Sequence, residues 1–314
     1  MNYRMLGKTK MNVSVIGFGG GAISGEGKGY GFGSISEADA ISLLLESFDF
    51  GINFFDTAPI YGFGLSEKRM GKAFTQIRDK VFLVSKCGVT WHANGRVNLS
   101  NHPDVAIKML EQSLRDLKSD YIDLYMIHWP DPQVDVRKTM EVLAKAKRQG
   151  KIKHIGLCNF LPPEIDLALE IEEVDVLQSE FNILKRESSE NLFGYLKSKE
   201  MGFMSYGTLG KGVITGRVTK ERTFDQWDAR SWAPWWKKSY LKDQIENTQV
   251  VLAELAKYGH NGLELALAHN LAHSEITSSL CGIRNSQQLD SINKALDNLP
   301  SKNLIDQAIS IYES

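Results

Sequence analysis

A carboxylate, a phenol, an ammonium and an imidazole stand where short apolar runs of this chain end. Asp56 closes the run Ile52–Asp56, and Tyr61 follows just past a turn. Lys86 closes Val81–Lys86, and His128 closes Leu124–His128. A phenol is a poor proton donor near neutral pH, with an unperturbed pKa of about 10. A neighbouring ammonium favours the phenolate and lowers that value. A carboxylate beside the ammonium compensates its partial burial. The expected roles are Tyr61 as general acid on a carbonyl oxygen and Lys86 as the cation that lowers its pKa. Asp56 would hold Lys86, and His128 would orient the carbonyl or share the proton path. A carbonyl protonated in this way accepts a hydride, and a hydride calls for a nicotinamide. Taken singly, each residue has a plainer reading, as a solvent-facing lysine, a rim histidine or a turn-capping aspartate.

These four residues need a scaffold that brings strand ends together. Apolar, β-rich runs recur at Val13–Phe18, Ile52–Asp56, Val81–Lys86, Leu124–His128, His154–Cys158, Val176–Glu180, Phe203–Tyr206 and Ile276–Gly282. Amphipathic stretches follow at Ser36–Phe50, Leu65–Phe74, Pro103–Lys118, Val136–Gln149, Pro163–Glu172, Ser188–Lys199, Ser239–Tyr258 and Ser286–Leu299. Ser36 offers an N-cap oxygen and Gly51 a C-terminal stop, with Ile41, Leu44, Leu45 and Phe48 on one face between them. Eight such alternations predict an α/β fold, a (β/α)8 TIM barrel, in one domain over residues 1–314. In such a barrel, reacting groups lie at the C-terminal ends of strands. Met1–Leu6 and Met11–Val15 read as an N-terminal β-hairpin.

A doubly wound sheet is the alternative, because Gly17-Phe18-Gly19-Gly20-Gly21-Ala22 fits Gly-x-Gly-x-x-Ala. That motif needs a helix to start on the pyrophosphate. Glycines continue here through Gly33, so no helix can begin before about Ser36, and a flexible loop over one end of a barrel is expected instead. The long stretch after the seventh strand, Gly207 to Lys238, carries Trp227, Trp232, Trp235 and Trp236. Its tryptophans argue against disorder and for a loop that lines a pocket.

With 314 residues, 42% hydrophobic and 24% charged, the composition is that of an ordinary globular protein. A net charge of −1 gives no electrostatic case for nucleic acid or an anionic membrane. No apolar run is long enough to span a bilayer, and the N-terminus lacks a signal-peptide core. Cys87, Cys158 and Cys281 are odd in number and far apart, which implies no metal-ligand pair and no disulfide framework. A reducing, cytoplasmic setting is expected.

In order along the chain, several segments carry a family likeness: Gly51-Ile52-Asn53-Phe54-Phe55-Asp56-Thr57-Ala58 with Tyr61-Gly62, Ser85-Lys86, Ile127-His128-Trp129, Gly150–Phe160 and Gln178-Ser179-Glu180-Phe181-Asn182. Together they resemble the aldo-keto reductase superfamily, over about Leu6 to Leu299. The resemblance implies a barrel reductase of aldehydes or ketones with the tetrad Asp56, Tyr61, Lys86 and His128. It implies NADPH/NADP+ as cofactor, with NADH left open. Cys158, Asn159 and Gln178 would hold the carboxamide, and Tyr206 would stack on the nicotinamide ring. Leu209, Gly212 and Thr215 would cross the pyrophosphate. Gly282, Arg284, Gln288 and Asn293 would hold the adenosine and its 2′-phosphate, where the Arg284 guanidinium suits a phosphate dianion. Here Cys158 replaces the usual serine, and Ser291-Ile292 replaces the usual acid–asparagine pair. Phe18 or its glycine-rich loop, Trp91, Trp129 and Trp232 are expected to wall the substrate pocket. A sugar dehydrogenase working oxidatively, or a non-enzymatic NADPH-binding subunit, is the alternative. The partner is then a small carbonyl substrate; the sequence does not speak to oligomeric state.

Overall fold

In chain order the strands are β1 (Tyr3–Met5), β2 (Asn12–Ser14), β3 (Ile16–Gly19), β4 (Phe54–Asp56), β5 (Phe82–Cys87), β6 (Val89–Trp91), β7 (Val97–Leu99), β8 (Ile122–Ile127), β9 (Ile152–Cys158), β10 (Val176–Glu180), β11 (Gly202–Tyr206) and β12 (Ile276–Cys281). These assignments come from a computed structural model of the chain, which describes all residues except 188–191, 234–235, 237–240 and 314. Strands β3, β4, β5, β8, β9, β10, β11 and β12 close into a parallel barrel, as the alternation predicts. The ring closes where β12 pairs with β3, with Leu280 opposite Gly17. The hairpin β1–β2 precedes it. The expected single run Val13–Phe18 is therefore two strands. Val15 N donates to Asn2 O, and the Ser14 hydroxyl donates to Ile16 O, so the chain leaves the hairpin and turns into the barrel at this point.

The helices are α1 (Glu37–Asp49), α2 (Leu65–Phe74), α3 (Pro103–Asp116), α4 (Val136–Arg148), α5 (Pro162–Leu169), α6 (Phe193–Ser198), α7 (Lys242–Ala256), α8 (Gly262–Leu271), α9 (Ser286–Leu296) and α10 (Lys302–Glu313). Ser36 caps α1, its side chain accepting from Asp39 N at 3.1 Å. The expected starts of two helices, Ser188 and Ser239, lie outside the described residues. Helices α8 and α10 have no counterpart in the sequence reading. Leu265 through Asn270 of α8 are all buried, so no polar face marks it. Its legible signal is the capping box, in which Asn261 and Glu264 bond each other's backbone N–H. Helix α7 is an addition to the barrel and packs on α10 through Val251, Leu255, Ile305 and Ala308.

Two apolar layers follow from strand alternation. Phe54, Val84, Leu124, Met126, Val176 and Met204 fill the barrel interior. Phe18, Phe55, Leu83, Tyr125 and Leu177 face the helices. The glycine-rich segment after β3 is a packed cover, not the flexible loop expected. It makes 3-10 turns at Gly20–Ile23 and Gly25–Gly27. A Cβ on Gly25 would lie 2.0 Å from Gly33 O, so the loop folds on itself at a distance only glycine permits. No dinucleotide helix starts there. The first α-helix begins at Glu37.

Candidate active site

The inward parity of each strand continues past its last apolar residue. Phe54 is followed two positions on by Asp56, Val84 by Lys86, Met126 by His128, Val176 by Gln178 and Met204 by Tyr206. The period-two side-chain repeat thus delivers five polar groups to one end of the barrel. Lys86 is fully buried; its Nζ donates to Asp56 Oδ1 at 2.6 Å and to Thr57 O at 2.9 Å. Gln178 Nε2 donates to the same Asp56 Oδ1 at 3.0 Å from the far side of the barrel. Tyr61 lies above this floor, its ring centroid 5.4 Å from Lys86 Nζ. His128 meets the Tyr61 ring edge-on, at 6.1 Å between centroids.

The electrostatics of the phenol run opposite to expectation. Burial, with Asp56 and Cys158 as further causes, pushes Tyr61 well above its ordinary 10. Lys86 spends its charge on Asp56 and Thr57 O, so the ion pair presents the phenol with little net positive field. Tyr61 therefore holds its proton. Burial and the charge of Lys86 drive His128 well below 6.5, so its imidazole is neutral at physiological pH.

Beside the tetrad, Asn159 adopts a left-handed backbone at φ 66°, which asparagine tolerates better than most residues. Its Nδ2 donates to His128 O at 3.2 Å, and its Oδ1 accepts from the Tyr206 hydroxyl at 2.7 Å. The Cys158 thiol donates to Gln178 Oε1 at 3.2 Å and accepts from Asn159 Nδ2 at 3.2 Å, and burial pushes the thiol up. A chain of hydrogen bonds thus joins Asp56, Gln178, Cys158, Asn159 and Tyr206 across the barrel mouth.

One cavity of about 1680 Å³ covers this end of the barrel. Asp56, Tyr61, His128, Cys158, Asn159, Gln178, Tyr206, Leu209, Gly212, Thr215, Gly282, Arg284 and Gln288 all line it, as does Trp129. Lys86 sits beneath, its ammonium turned to Asp56. Arg284 donates from its guanidinium to Ser34 O at 2.6 Å, and Gln288 Oε1 accepts from Arg284 N at 2.9 Å.

Four expected residues lie elsewhere. Phe18 belongs to the outward face of β3 and packs on Phe55 at 5.8 Å, because Gly17 and Gly19 take the inward positions. Trp91 stacks on Phe63 at 4.6 Å, while Val89, Val97 and Leu99 of the same hairpin reach the cavity. Trp232 stacks on Tyr30 at 5.6 Å, and it is Tyr30 that lines the cavity. Asn293 is exposed on α9, where Gln288, Ser291, Ile292 and Ala295 turn inward at helical spacing. Of the other tryptophans, Trp236 lines the cavity and Trp235 lies outside the described residues.

Sequence reasoning missed the β6–β7 hairpin and the cations that follow β10. The hairpin had a signal in Asn94-Gly95, a turn dipeptide between two β-rich triplets. The glycine-rich loop, expected as the alternative to Phe18 in the pocket wall, lines the cavity through Gly19 to Ala22, Tyr30 and Phe32.

Comparison with known proteins adds the descent of this arrangement. The model of the aldo/keto reductase family matches residues 15–312. The chain is 34% identical over 298 residues to the aldo-keto reductase YhdN of Bacillus subtilis, covering 94% of this chain and 88% of that one. It is 31% identical to the NADH-specific methylglyoxal reductase of Escherichia coli, covering 90% of each. The glycerol dehydrogenase AKR11B4 from Gluconobacter oxydans superposes with a TM-score of 0.86 at 25% identity, over 99% of this chain and 94% of that one. A family match across nearly the whole barrel, with oxidoreductases among the relatives, means that this chain belongs to the aldo/keto reductase family, enzymes that use NAD(P)H.

Proposed function

We propose that the chain reduces an aldehyde or ketone to the alcohol with NADPH, Tyr61 acting as general acid, in one barrel domain over residues 1–314. The observation that carries the reading is the floor of the cavity. Asp56, Lys86 and Gln178 are locked together there by hydrogen bonds of 2.6 and 3.0 Å beneath Tyr61 and His128. A phenol that keeps its proton is the donor a reduction needs. A carbonyl oxygen placed between Tyr61 and His128 accepts from both, since a neutral imidazole carries one N–H. Lys86 is the ammonium beneath the ring as the proton leaves, 5.4 Å from its centroid, and Asp56 keeps it in place. Covering the mouth with the glycine-rich loop excludes water from that transfer.

The residues present fit a dinucleotide. Carboxamide-sized donors and acceptors converge in Asn159 and Gln178, beside the aromatic face of Tyr206. Gly207, Gly210 and Gly212 take positive φ in the following loop, leaving backbone close to the cavity. Lys185, Lys211, Arg217, Arg222, Arg284 and Lys294 supply cationic lining against Glu180 and Glu264. Bound NADPH would supply the hydride. Asn159, Gln178 and Tyr206 would hold its nicotinamide, and Arg284 with Gln288 its 2′-phosphate end. Arg284 favours NADPH over NADH. The three cysteines are free and buried, which supports a reducing, cytoplasmic setting.

The test is a titration with NADPH and with NADH followed by tryptophan fluorescence, then a panel of small aldehydes read at the nicotinamide absorbance. Binding with turnover is expected, tighter for NADPH by tenfold or more. Absence of both binding and turnover overturns the reading, and equal affinity for NADH overturns the role of Arg284.

A further inference from the structure

The geometry points to an uncharged, apolar carbonyl compound as the substrate, and we infer that sugars and carbonyl acids are poor ones. This inference rests on the reductase reading above and goes beyond it. Its basis is how charge is divided around the cavity. Among the described lining residues, those contributed before β9 carry one charged side chain, Asp56. That carboxylate is already bonded to Lys86 and Gln178 and is 3% exposed. The cationic lining all comes from segments after β10, where a polyanion would lie. Two of these cations reach the cover: Arg284 spends its guanidinium on Ser34 O at 2.6 Å, and Arg230, 5.4 Å from the ring of Phe32, is held by Asp228 through two hydrogen bonds of 2.6 and 2.9 Å. Among the described residues, an anionic substrate therefore finds no unengaged cation beside Tyr61.

The wall around Tyr61 is made of Tyr30, Ile60, Val89, Val97, Leu99 and Trp129. The β6–β7 hairpin supplies three of these six. It is anchored rather than loose. Asn101, just past the hairpin, donates from Nδ2 to Trp129 O at 2.8 Å and from its backbone N to Asp131 Oδ2 at 2.9 Å. Ser100 N donates to Gly88 O at 2.8 Å across the base. Apart from Tyr61 and His128, the hydrogen-bonding side chains on this side are the Asn98 amide, the Tyr30 hydroxyl and the Trp129 indole N–H, the last two at the edges of aromatic rings. A polyhydroxylated substrate would bury several hydroxyls, each of which can donate and accept, against a wall whose aliphatic part, Ile60, Val89, Val97 and Leu99, meets none of them, and each unmet group is costly. A carboxylate would be desolvated with no counter-charge among the described residues of this wall, which costs more. An alkyl or aryl aldehyde meets neither penalty and gains from leaving water.

Matched substrates test this with the full chain and NADPH. The set is butanal, pentanal and hexanal, benzaldehyde against 4-carboxybenzaldehyde, and D-xylose. Expected are a rise in kcat/KM of about threefold per added methylene and a preference for benzaldehyde over its carboxylated partner of about a hundredfold or more. D-xylose should fall below butanal. A flat chain-length series, equal rates for the two benzaldehydes, or D-xylose above butanal overturns the inference while leaving the reductase reading intact. Turnover of no member overturns that reading and the inference with it. Leu99 is 38% exposed, so Leu99→Arg keeps the fold. It should narrow the benzaldehyde preference at least tenfold, and an unchanged preference means that the hairpin does not wall the substrate.

Discussion

Tyr61 keeps its proton because the cavity floor buries it and Asp56 adds a negative charge beside it. Removing that hydroxyl while keeping the ring isolates the proton step. Tyr61→Phe should lower kcat by about 10²–10⁴-fold and leave NADPH affinity within about twofold. Stopped-flow turnover beside a fluorescence titration checks both, and surviving activity moves the acid elsewhere. The reading of Asp56, Lys86 and His128 needed only the rule that barrel chemistry gathers at strand ends. The direction of the Tyr61 shift was not legible, because it depends first on the complete burial of the phenol and then on Asp56 and Cys158 beside it, which no spacing reveals. Phe18 was misplaced for a simpler reason. Gly17 and Gly19 alternate with it, and the inward parity of β3 belongs to the glycines.

At the level of elements, strands were easier to read than the pieces between them. Each barrel strand is a short apolar run with turn signals on both sides, and β10 matches its expected bounds, Val176–Glu180. Helix α8 escaped because burial on all sides erases the periodicity that marks a helix. The β6–β7 hairpin escaped because its strands have only three residues each. Its placement now carries a prediction. Asn101→Ala removes the tie to Trp129 O and leaves that carbonyl unmet, at a cost of about 1–3 kcal/mol. If part of this is felt as wall mobility, KM for neutral aldehydes rises about fivefold per kcal/mol with kcat held. Steady-state kinetics on hexanal checks it, and a fall in kcat at constant KM counts against the wall assignment. Gly25→Ala belongs to the same scale. Its new methyl would press on Gly33 O, so the glycine cover must open, and both thermal stability and turnover should fall.

Across the whole molecule, pH acts through buried groups distant from solvent. Glu67 of α2 is fully buried, accepts from the Ser85 hydroxyl at 2.6 Å, and has no partner for Oε2 among the described residues. Burial raises its pKa from 4.5 to about 7. Between those values the folded chain binds more protons than the unfolded one, so Glu67 lowers stability as pH rises through that window. His269 acts in the opposite sense. Burial lowers it from 6.5 to about 4, so stability is lost as pH falls below 6.5. Glu67→Gln cannot ionise. Its stability relative to the parent should therefore rise by about 2–3 kcal/mol between pH 5 and pH 8, from about 1.4 kcal/mol per pKa unit. Urea unfolding at the two pH values measures it, and a pH-independent difference refutes it. No described helix is long and apolar enough to cross a membrane.

The hydrogen bond from Gln178 to Asp56 joins positions 122 residues apart. Asp56 and Lys86 come from the first four barrel strands, and Gln178 and Tyr206 from the last four. The centre therefore straddles two half-barrels, and neither half can hold it alone. Gly150 separates the halves at a turn where an added Cβ would touch nothing within 4 Å, the kind of exposed tip that tolerates a break. Fragments 1–150 and 151–314, expressed separately, should each be inert and should regain turnover when mixed. Catalysis in this chain would then report fragment complementation, and during synthesis it could begin only after the last strand has left the ribosome and docked against the first.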